Sequence, residues 1–327
     1  MNSAKQVARA YWLSAPGTGE IRTEVLPACG TDEVLVHTRF SGVSRGTESL
    51  VFRGGVPADQ YAAMRAPFQQ GDFPGPIKYG YLSVGTVEQG PSALCGKPVF
   101  CLYPHQDRYV VPASAVVPAP EGVPLRRAVL AGMLETAVNA VWDVPPLVGD
   151  RIAIVGAGVV GCCVARLAAN TPGADVTLVD VDPSRAAVAQ ALGVGFALPT
   201  DAPHECDVVF HASASSAGLQ LALDLLGFEG RVVELSWYGN HTVELALGGA
   251  FHSRRLGIVA SQVSQVAPAR RGHRSLHQRL ALALEILRDP AFDVLLTGTS
   301  RFDELPAVMP RLADRSLPAL CHVIAYP

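Results

Sequence analysis

Three glycines, Gly156, Gly158 and Gly161, constrain the fold of this chain more than any other feature. They stand in the stretch IAIVGAGVVG, after an apolar run that predicts a strand and at the start of a run that predicts a helix. In the pattern G-x-G-x-x-G, the glycines permit a tight turn, the close approach of a pyrophosphate to the backbone, and close packing of helix on strand. The stretch therefore predicts a dinucleotide-binding turn, although a tight turn without a ligand would have the same letters.

An acidic residue follows at the expected distance. The next predicted strand, VTLVDVD, leads to Asp180, whose carboxylate would accept a hydrogen bond from a ribose 2′-hydroxyl and repel a 2′-phosphate. NAD(H) is therefore favoured over NADP(H), and Arg185 would soften that preference. The predicted cofactor contacts are Gly156, Gly158, Val159, Val160, Gly161, Asp180, Arg185, Ser213 and Trp237.

Hydrophobic patterning divides the chain into three predicted domains. Residues 1–124 contain short alternating runs rich in Val, Gly and Pro, which predict the strands of a barrel-like region. In residues 125–290 strands alternate with helices, which is typical of a doubly wound parallel sheet. Residues 291–327 end in an apolar strand that we expect to return to the first region. The predicted fold class is α/β, with a β-rich domain beside the parallel sheet.

Composition narrows the class of protein. The 327 residues are 49% hydrophobic and 17% charged, with a formal net charge of −3, which suits large cores and excludes disorder. No basic excess predicts a nucleic-acid partner, and the cluster ARRGHR (269–274) is interpreted as a solvated loop. No signal peptide or membrane span is evident, so we expect a cytoplasmic protein. The expected partners are a small-molecule substrate and, for a homodimer, a second copy of the chain.

Three stretches together resemble the medium-chain dehydrogenase/reductase superfamily. They are HTRFSGVSRGTE, DRYVVPASAVVPAPEGVP and GDRIAIVGAGVVG. The superfamily includes alcohol and polyol dehydrogenases and zinc-free quinone reductases. The resemblance covers essentially the whole chain, in the order GroES-like catalytic domain, linking helix, Rossmann domain and return strand. It implies an NAD(P)-dependent oxidoreductase.

The zinc ligands of that superfamily are not matched. Where zinc-dependent members have G-H-E-x-x-G-x-V, this chain reads GYLSVGTV, with Tyr81 at the histidine and leucine at the glutamate. The position of the first ligand, a cysteine, falls on Ser44 or Arg45. Glu135 matches a glutamate near the metal of polyol dehydrogenases, but one carboxylate alone holds zinc poorly. The four-cysteine structural lobe is also missing, so we expect a zinc-free member with no metal site.

Without zinc, other groups must handle the proton. The resemblance places Thr47 at the hydroxyl that relays a proton, with the acidic Glu48 after it. A tyrosine acts as an acid when it shares its proton with a base, and a buried glutamate has a raised pKa suited to a shuttle. The predicted catalytic residues are Tyr81, Glu135, Thr47 and Tyr79, with Tyr81 and Glu135 as a pair. Alternatively, the two tyrosines, two apart on a predicted strand, fill space left by the lost metal site.

A substrate pocket is predicted from Ser44, Arg45, Glu48, Tyr61, Arg65 and His105. A long insertion places Tyr61, Met64, Arg65 and Phe68 at helical spacing. They predict a lid suited to a bulky or flat substrate, or a stripe packed on the barrel. Arg65 would meet a substrate carboxylate.

Several functions stay open at this point. The first is an alcohol or ketone dehydrogenase, and the second is a quinone or enone reductase. A faint similarity to the bacteriochlorophyllide hydroxyethyl dehydrogenases implies a large flat substrate. The last alternative is a nucleotide-binding protein that has lost catalysis.

Overall fold

The computed structural model describes residues 6–327 and divides into two compact units. Unit 1 comprises the described residues up to Gly132, together with Leu284–Arg288 and Leu296–Pro327. Unit 2 comprises Met133–Ala283 and Asp289–Leu295. No helix in the described part of the chain has the length and apolar character needed to cross a membrane.

Strands come first in chain order and predominate in unit 1. Within residues 6–327 they are β1 (Val7–Ala15), β2 (Thr18–Val25), β3 (Glu33–Val43), β4 (Gln70–Gly71), β5 (Ile77–Lys78), β6 (Ser83–Gln89), β7 (Pro98–Cys101), β8 (Arg108–Pro112), β9 (Val116–Pro118), β10 (Arg151–Val155), β11 (Asp175–Val179), β12 (Gly195–Ala197), β13 (Cys206–His211), β14 (Leu226–Glu234), β15 (Gly257–Ala260), β16 (Leu296–Arg301) and β17 (Cys321–Ala325).

Helices are concentrated in the later part of the chain. The described α-helices are α1 (Arg45–Phe52), α2 (Leu125–Ala128), α3 (Ala131–Asp143), α4 (Val159–Ala168), α5 (Arg185–Leu192), α6 (Ser216–Asp224), α7 (Ala250–Ser253), α8 (Leu276–Ile286) and α9 (Leu305–Ala313).

Unit 1 is built on two sheets. One has the strand order β2-β1-β5-β4, and the other has the order β16-β17-β3-β6-β7-β9, with β8 also paired to β3. Alternation along β3 points Val34 and Val36 into a core with Val87, Val99 and Val111. The final strand β17 pairs antiparallel with β3, so the end of the chain does return to the β-rich region.

Unit 2 contains a parallel sheet in the order β12-β11-β10-β13-β14-β15. Its central strands are apolar throughout, and Ile152, Ala153 and Ile154 of β10 are all fully buried, as expected for a strand covered on both faces. The strand order reverses between β10 and β13, and in open α/β sheets ligands bind in the crevice at such a point. The β-rich unit and the doubly wound sheet confirm the predicted fold class.

Two local predictions differ from the structure. The stretch from Tyr61 to Phe68 is not a helix but a series of turns after a short 3-10 helix, Ala58–Gln60. Pro67 disfavours the helical conformation at the residue before it, and Phe68 has a φ of 56°, which no helix accepts. Tyr79 and Tyr81 are not on a strand either, because they lie in the connection between β5 and β6.

Candidate active site

The glycine turn joins β10 to α4. A Cβ at Gly156, whose φ is 108°, would lie 2.7 Å from the backbone nitrogen of Ser213, and a Cβ at Gly161 would lie 2.0 Å from the carbonyl oxygen of Gly156. Close packing therefore requires both glycines. Gly158, the N-cap of α4, has open space where its Cβ would be. The free N–H groups and positive dipole end of α4 face that space, so the turn fits a pyrophosphate.

Asp180 is fixed against this turn. Its Oδ2 accepts a hydrogen bond from the Ala157 N–H at 2.7 Å, and its Oδ1 accepts one from the Asp182 N–H at 2.9 Å. Each carboxylate oxygen keeps a second lone pair, so the group fits a ribose hydroxyl donor. Arg185, the first residue of α5, is paired with Asp182, with 3.2 Å between Nε and Oδ2.

The other predicted cofactor contacts lie on the same sheet or on α4. Val159 and Val160 are the first two residues of α4, the former buried and the latter partly buried. Ser213 follows β13, and its hydroxyl lies 2.7 Å from Nε2 of His211. Trp237 is partly buried in the segment after β14.

In unit 1 a buried carboxylate forms the centre of a polar cluster. Glu48 of α1 is 4% exposed, and its Oε1 accepts a hydrogen bond from the Ser44 N–H at 2.8 Å, as a glutamate in the first turn of a helix commonly does. Its Oε2 lies 2.8 Å from Nε2 of His105, which is 1% exposed. The structure thus brings three predicted pocket residues, Ser44, Glu48 and His105, together.

The cluster continues through two residues that the sequence reasoning missed. Nδ1 of His105 lies 2.7 Å from the Ser41 hydroxyl, which lies 2.9 Å from the hydroxyl of Tyr326. Ser41 is on β3 and Tyr326 directly follows β17, and the antiparallel pairing of these strands aligns Ser41 with Ile324. Only the predicted return of the last strand could have indicated this contact, and it did not indicate which side chains would meet.

Tyr81 adjoins the carboxylate. Burial and the charge of Glu48 raise the pKa of its phenol to about 12, although hydrogen bonds with the side chains of Ser44 and Thr47 oppose the shift. The phenol is therefore protonated at neutral pH. The hydroxyls of Ser44 and Thr47 are also placed to stabilise negative charge on it.

Gly80 explains how the two tyrosines can flank this cluster. It has a φ of 123°, and a Cβ there would lie 2.9 Å from Cδ2 of His105. The backbone thus passes against the imidazole only because Gly80 has no side chain. The rings of Tyr79 and Tyr81 meet edge to face, with 6.2 Å between their centroids, and burial raises the pKa of Tyr79 well above its usual value.

The remaining pocket candidates have partners of their own. The ring centroid of Tyr61 is 5.6 Å from that of Phe73, which is 5.8 Å from that of Tyr79. Tyr61, Phe73, Tyr79 and Tyr81 thus form an aromatic row. Arg65 forms an ion pair with Asp72 and donates to the carbonyl of Gln69, and Arg45 is the first residue of α1.

Glu135 has a cationic partner. It belongs to unit 2, where its Oε1 lies 3.1 Å from Nε of Arg279, and both side chains are buried. Burial raises the pKa of Glu135, and the charge and hydrogen bond of Arg279 oppose that shift. Arg279 also donates to the carbonyl of Gln265 at 2.9 Å and to the side chain of Asn139. The pairing of Glu135 with Tyr81 stays a prediction.

The side chains at the superfamily's zinc positions do not fit a zinc ion. Ser44, Tyr81 and Leu82 offer no thiolate, imidazole or carboxylate there. Over residues 6–327, no group of three or more His, Cys, Asp or Glu side chains is arranged to hold a metal ion.

Comparison with known proteins places the chain among dehydrogenases. No family model matches it. It is 26% identical over 259 residues to a D-guloside 3-dehydrogenase from Shigella flexneri. The alignment covers 71% of this chain and 74% of that protein.

Solved structures share its fold. L-idonate 5-dehydrogenase from Escherichia coli superposes with a TM-score of 0.81 and 15% identity, covering 99% of this chain and 100% of the other. A putative zinc-binding dehydrogenase from Sinorhizobium meliloti, bound to NADP, gives a TM-score of 0.77 and 18% identity over 98% and 100% of the two chains. The glycine turn, the β-rich and parallel-sheet units and these comparisons show that the chain has the fold of these dehydrogenases and is similar in sequence to a dehydrogenase.

Proposed function

We propose that this protein is a zinc-independent, NAD(H)-dependent oxidoreductase that transfers a hydride between the nicotinamide and an alcohol or ketone. The observation that carries the proposal is the protonated Tyr81, which stands at a zinc-ligand position of the superfamily and bonds to Ser44 and Thr47 beside the buried Glu48. A phenol in this position supplies a proton where zinc-dependent relatives would polarise oxygen with the metal.

The cofactor is held by unit 2 in this proposal. The glycine turn and the start of α4 bind the pyrophosphate, and Asp180 accepts from the adenosine ribose. When bound, the nicotinamide ring supplies or accepts the hydride. Asp180 disfavours a 2′-phosphate, and Arg185 is already engaged by Asp182, so NAD(H) is preferred over NADP(H).

Tyr81 handles the proton during carbonyl reduction. Its hydroxyl donates to the substrate oxygen as negative charge develops there, and Ser44 and Thr47 stabilise the phenolate that results. The negative charge of Glu48 favours the return of the proton to Tyr81. His105 bonds to Glu48 and holds that carboxylate in place. Tyr79 packs on the Tyr81 ring, and Glu135 remains the second candidate carboxylate for this role.

The substrate class is a secondary alcohol or its ketone. The curated relative is named for oxidation of D-guloside at position 3, which makes oxidised glycosides the first ketones to test. The aromatic row of Tyr61, Phe73, Tyr79 and Tyr81 favours a second candidate, a flat quinone or enone as hydride acceptor.

The proposal is tested by NADH oxidation against a panel of 3-oxo-glycosides, simple ketones, quinones and enones. We expect turnover with at least one ketone, measured as the loss of the absorbance of reduced nicotinamide. Turnover with quinones or enones alone would support the second candidate. Tight NADH binding with no turnover across the panel would instead support a nucleotide-binding protein without catalysis.

A further inference from the structure

A histidine and a glutamate meet at the carboxyl edge of the parallel sheet. His211 ends β13, Glu234 ends β14, and the two are register partners. His211 is fully buried, and its Nδ1 lies 2.8 Å from Oε2 of Glu234.

Glu234 is held as a carboxylate. The Ser236 N–H donates to its Oε1 at 2.6 Å, and the Tyr238 hydroxyl donates to its Oε2 at 2.9 Å. Burial works against ionisation, but the hydrogen bonds from His211 and Ser236 hold the pKa of Glu234 below its usual value. A carboxylate only accepts hydrogen bonds, so Nδ1 of His211 carries a proton, and in the neutral ring Nε2 keeps a lone pair.

This arrangement fixes the direction of the next hydrogen bonds. The Ser213 hydroxyl donates to Nε2 of His211 at 2.7 Å. Because the Ser213 proton is directed at His211, Ser215 donates its own proton to Ser213 Oγ at 2.9 Å, and Ser215 Oγ accepts from the Gly218 N–H at 3.0 Å. Ser213 Oγ is left with one lone pair and no proton to give.

Ser213 borders the cofactor crevice. Its backbone nitrogen is the atom nearest to where a Cβ on Gly156 would stand, 2.7 Å away. It lies just beyond β13, beside the reversal of strand order, and its side chain is partly exposed. Asp180 lies at the other side of the turn, beyond β11, where the adenosine ribose binds in dinucleotide folds. Ser213 is therefore next to the half of the dinucleotide that carries the nicotinamide.

We propose that His211 and Glu234 are positioning residues that fix Ser213 as a hydrogen-bond acceptor for a ribose hydroxyl or carboxamide N–H of the nicotinamide half of the cofactor. The inference rests on the proposed function, because it names the cofactor as the ligand. Ser213 prepared in this way would bind a donor and reject an acceptor such as a phosphate oxygen.

Two substitutions separate this role from a structural one. Ser213→Ala removes the acceptor. Glu234→Gln keeps the shape but lets the amide nitrogen donate to Nδ1, which moves the histidine proton to Nε2 and turns Ser213 into a donor. Dissociation constants are measured by titration for NADH and for AMP, which lacks the nicotinamide half. An exposed serine elsewhere in unit 2, in Ser253→Ala, is the matched control.

We expect Ser213→Ala to weaken NADH binding by about 5- to 10-fold, the scale of one hydrogen bond, and to leave AMP binding unchanged. Glu234→Gln should weaken NADH binding at least as much in the wild-type background and have no further effect when Ser213 is already alanine. A Cβ at Gly218 would lie 2.1 Å from Ser213 Oγ, so Gly218→Ala should behave like Ser213→Ala and serves if Glu234→Gln does not fold.

Unchanged NADH affinity in Ser213→Ala would overturn the inference. So would an effect of Glu234→Gln or Gly218→Ala that persists without the Ser213 hydroxyl, or an equal loss of AMP affinity. These results leave the proposed function intact, whereas failure of the wild-type protein to bind NADH would contradict the proposed function itself.

Discussion

In the proposed mechanism, the hydroxyl of Tyr81 is the proton donor of unit 1. Its pKa of about 12 results from burial first and from the charge of Glu48 second, so the phenol gives up its proton only when a partner stabilises the product. The hydroxyls of Ser44 and Thr47 are such partners. The proton is thus retained in the resting protein and is available to an oxygen on which charge develops.

Substituting Tyr81 with Phe tests this role. The ring and its contact with Tyr79 stay, while the loss of hydrogen bonds costs about 1 kcal/mol of unfolding free energy. We expect NADH affinity to stay constant and turnover to fall by roughly 100-fold, the usual scale for removal of a general acid. Tyr79→Phe, the neighbouring matched control, should keep nearly full turnover. Equal rates in Tyr81→Phe and the wild type would identify Tyr81 as a packing residue.

The carboxylate coupled to Tyr81 is identified by double substitution. We expect Glu48→Gln and Tyr81→Phe to lower turnover non-additively, because the charge of Glu48 acts on the Tyr81 proton. Steady-state rates of the two single variants and the double variant give the coupling. Coupling of Tyr81→Phe to Glu135→Gln instead would support the pair expected from the sequence and contradict the assignment to Glu48.

We expect Asp180 to set the preference for NADH over NADPH. NADH should bind at least about tenfold more tightly than NADPH, because a carboxylate accepts from a hydroxyl and repels a phosphate. Asp180→Asn keeps the shape and an oxygen for the Ala157 N–H but removes the charge. It should therefore reduce the difference between the affinities for NADH and NADPH. Fluorescence titration with both cofactors measures it, and equal or tighter NADPH binding by the wild type would disprove the preference.

At the scale of elements, the strand–turn–helix unit around Gly158 is the part of the site that sequence predicts best. Its conformation depends on local sterics, which three glycines and an apolar strand encode directly. The stretch from Tyr61 to Phe68 shows the opposite case. Its spacing favours a helix, but Pro67 and the positive φ of Phe68 produce turns, and side-chain spacing alone does not reveal that conflict.

Gly158→Asp tests the turn as a binding element. A Cβ at this position meets nothing within 4 Å, and aspartate is a good N-cap, so α4 should stay stable. The added carboxylate would face the pyrophosphate, and we expect NADH affinity to fall by more than about tenfold. Gly158→Asn, the uncharged control, should lose less NADH affinity than Gly158→Asp. If both variants bind NADH like the wild type, the pyrophosphate does not bind at this turn.

At the scale of the whole molecule, the fold class and the return of the last strand follow from patterning. The cluster that joins Glu48, His105, Ser41 and Tyr326 does not, because its members are up to 285 residues apart and meet only in the tertiary structure. The Glu135–Arg279 pair was missed for the same reason. Sequence motifs therefore predicted the glycine turn and singled out Tyr81, whereas the side chains bonded around Glu48 and Glu135 needed the tertiary structure.

Buried tyrosines make the folded chain sensitive to alkali. Burial raises the pKa of seven of the eight tyrosines: Tyr11, Tyr79, Tyr81, Tyr103, Tyr109, Tyr238 and Tyr326. The unfolded chain releases these protons near pH 10, before the folded chain does, so unfolding is favoured as pH rises. Below about pH 9, tyrosine ionisation should not change the urea concentration at the midpoint of unfolding. From pH 10 towards 12, we expect that midpoint to fall steeply. A midpoint that holds or rises across that range would contradict the burial of these phenols.

The central claim is that this protein performs hydride transfer with a phenol in place of a metal ion. The most direct measurement is NADH-dependent turnover of the protein after chelation, with zinc content determined on the same sample. We predict that the protein retains its full rate with far less than one zinc per chain. Loss of turnover on chelation, restored by stoichiometric zinc, would contradict the claim.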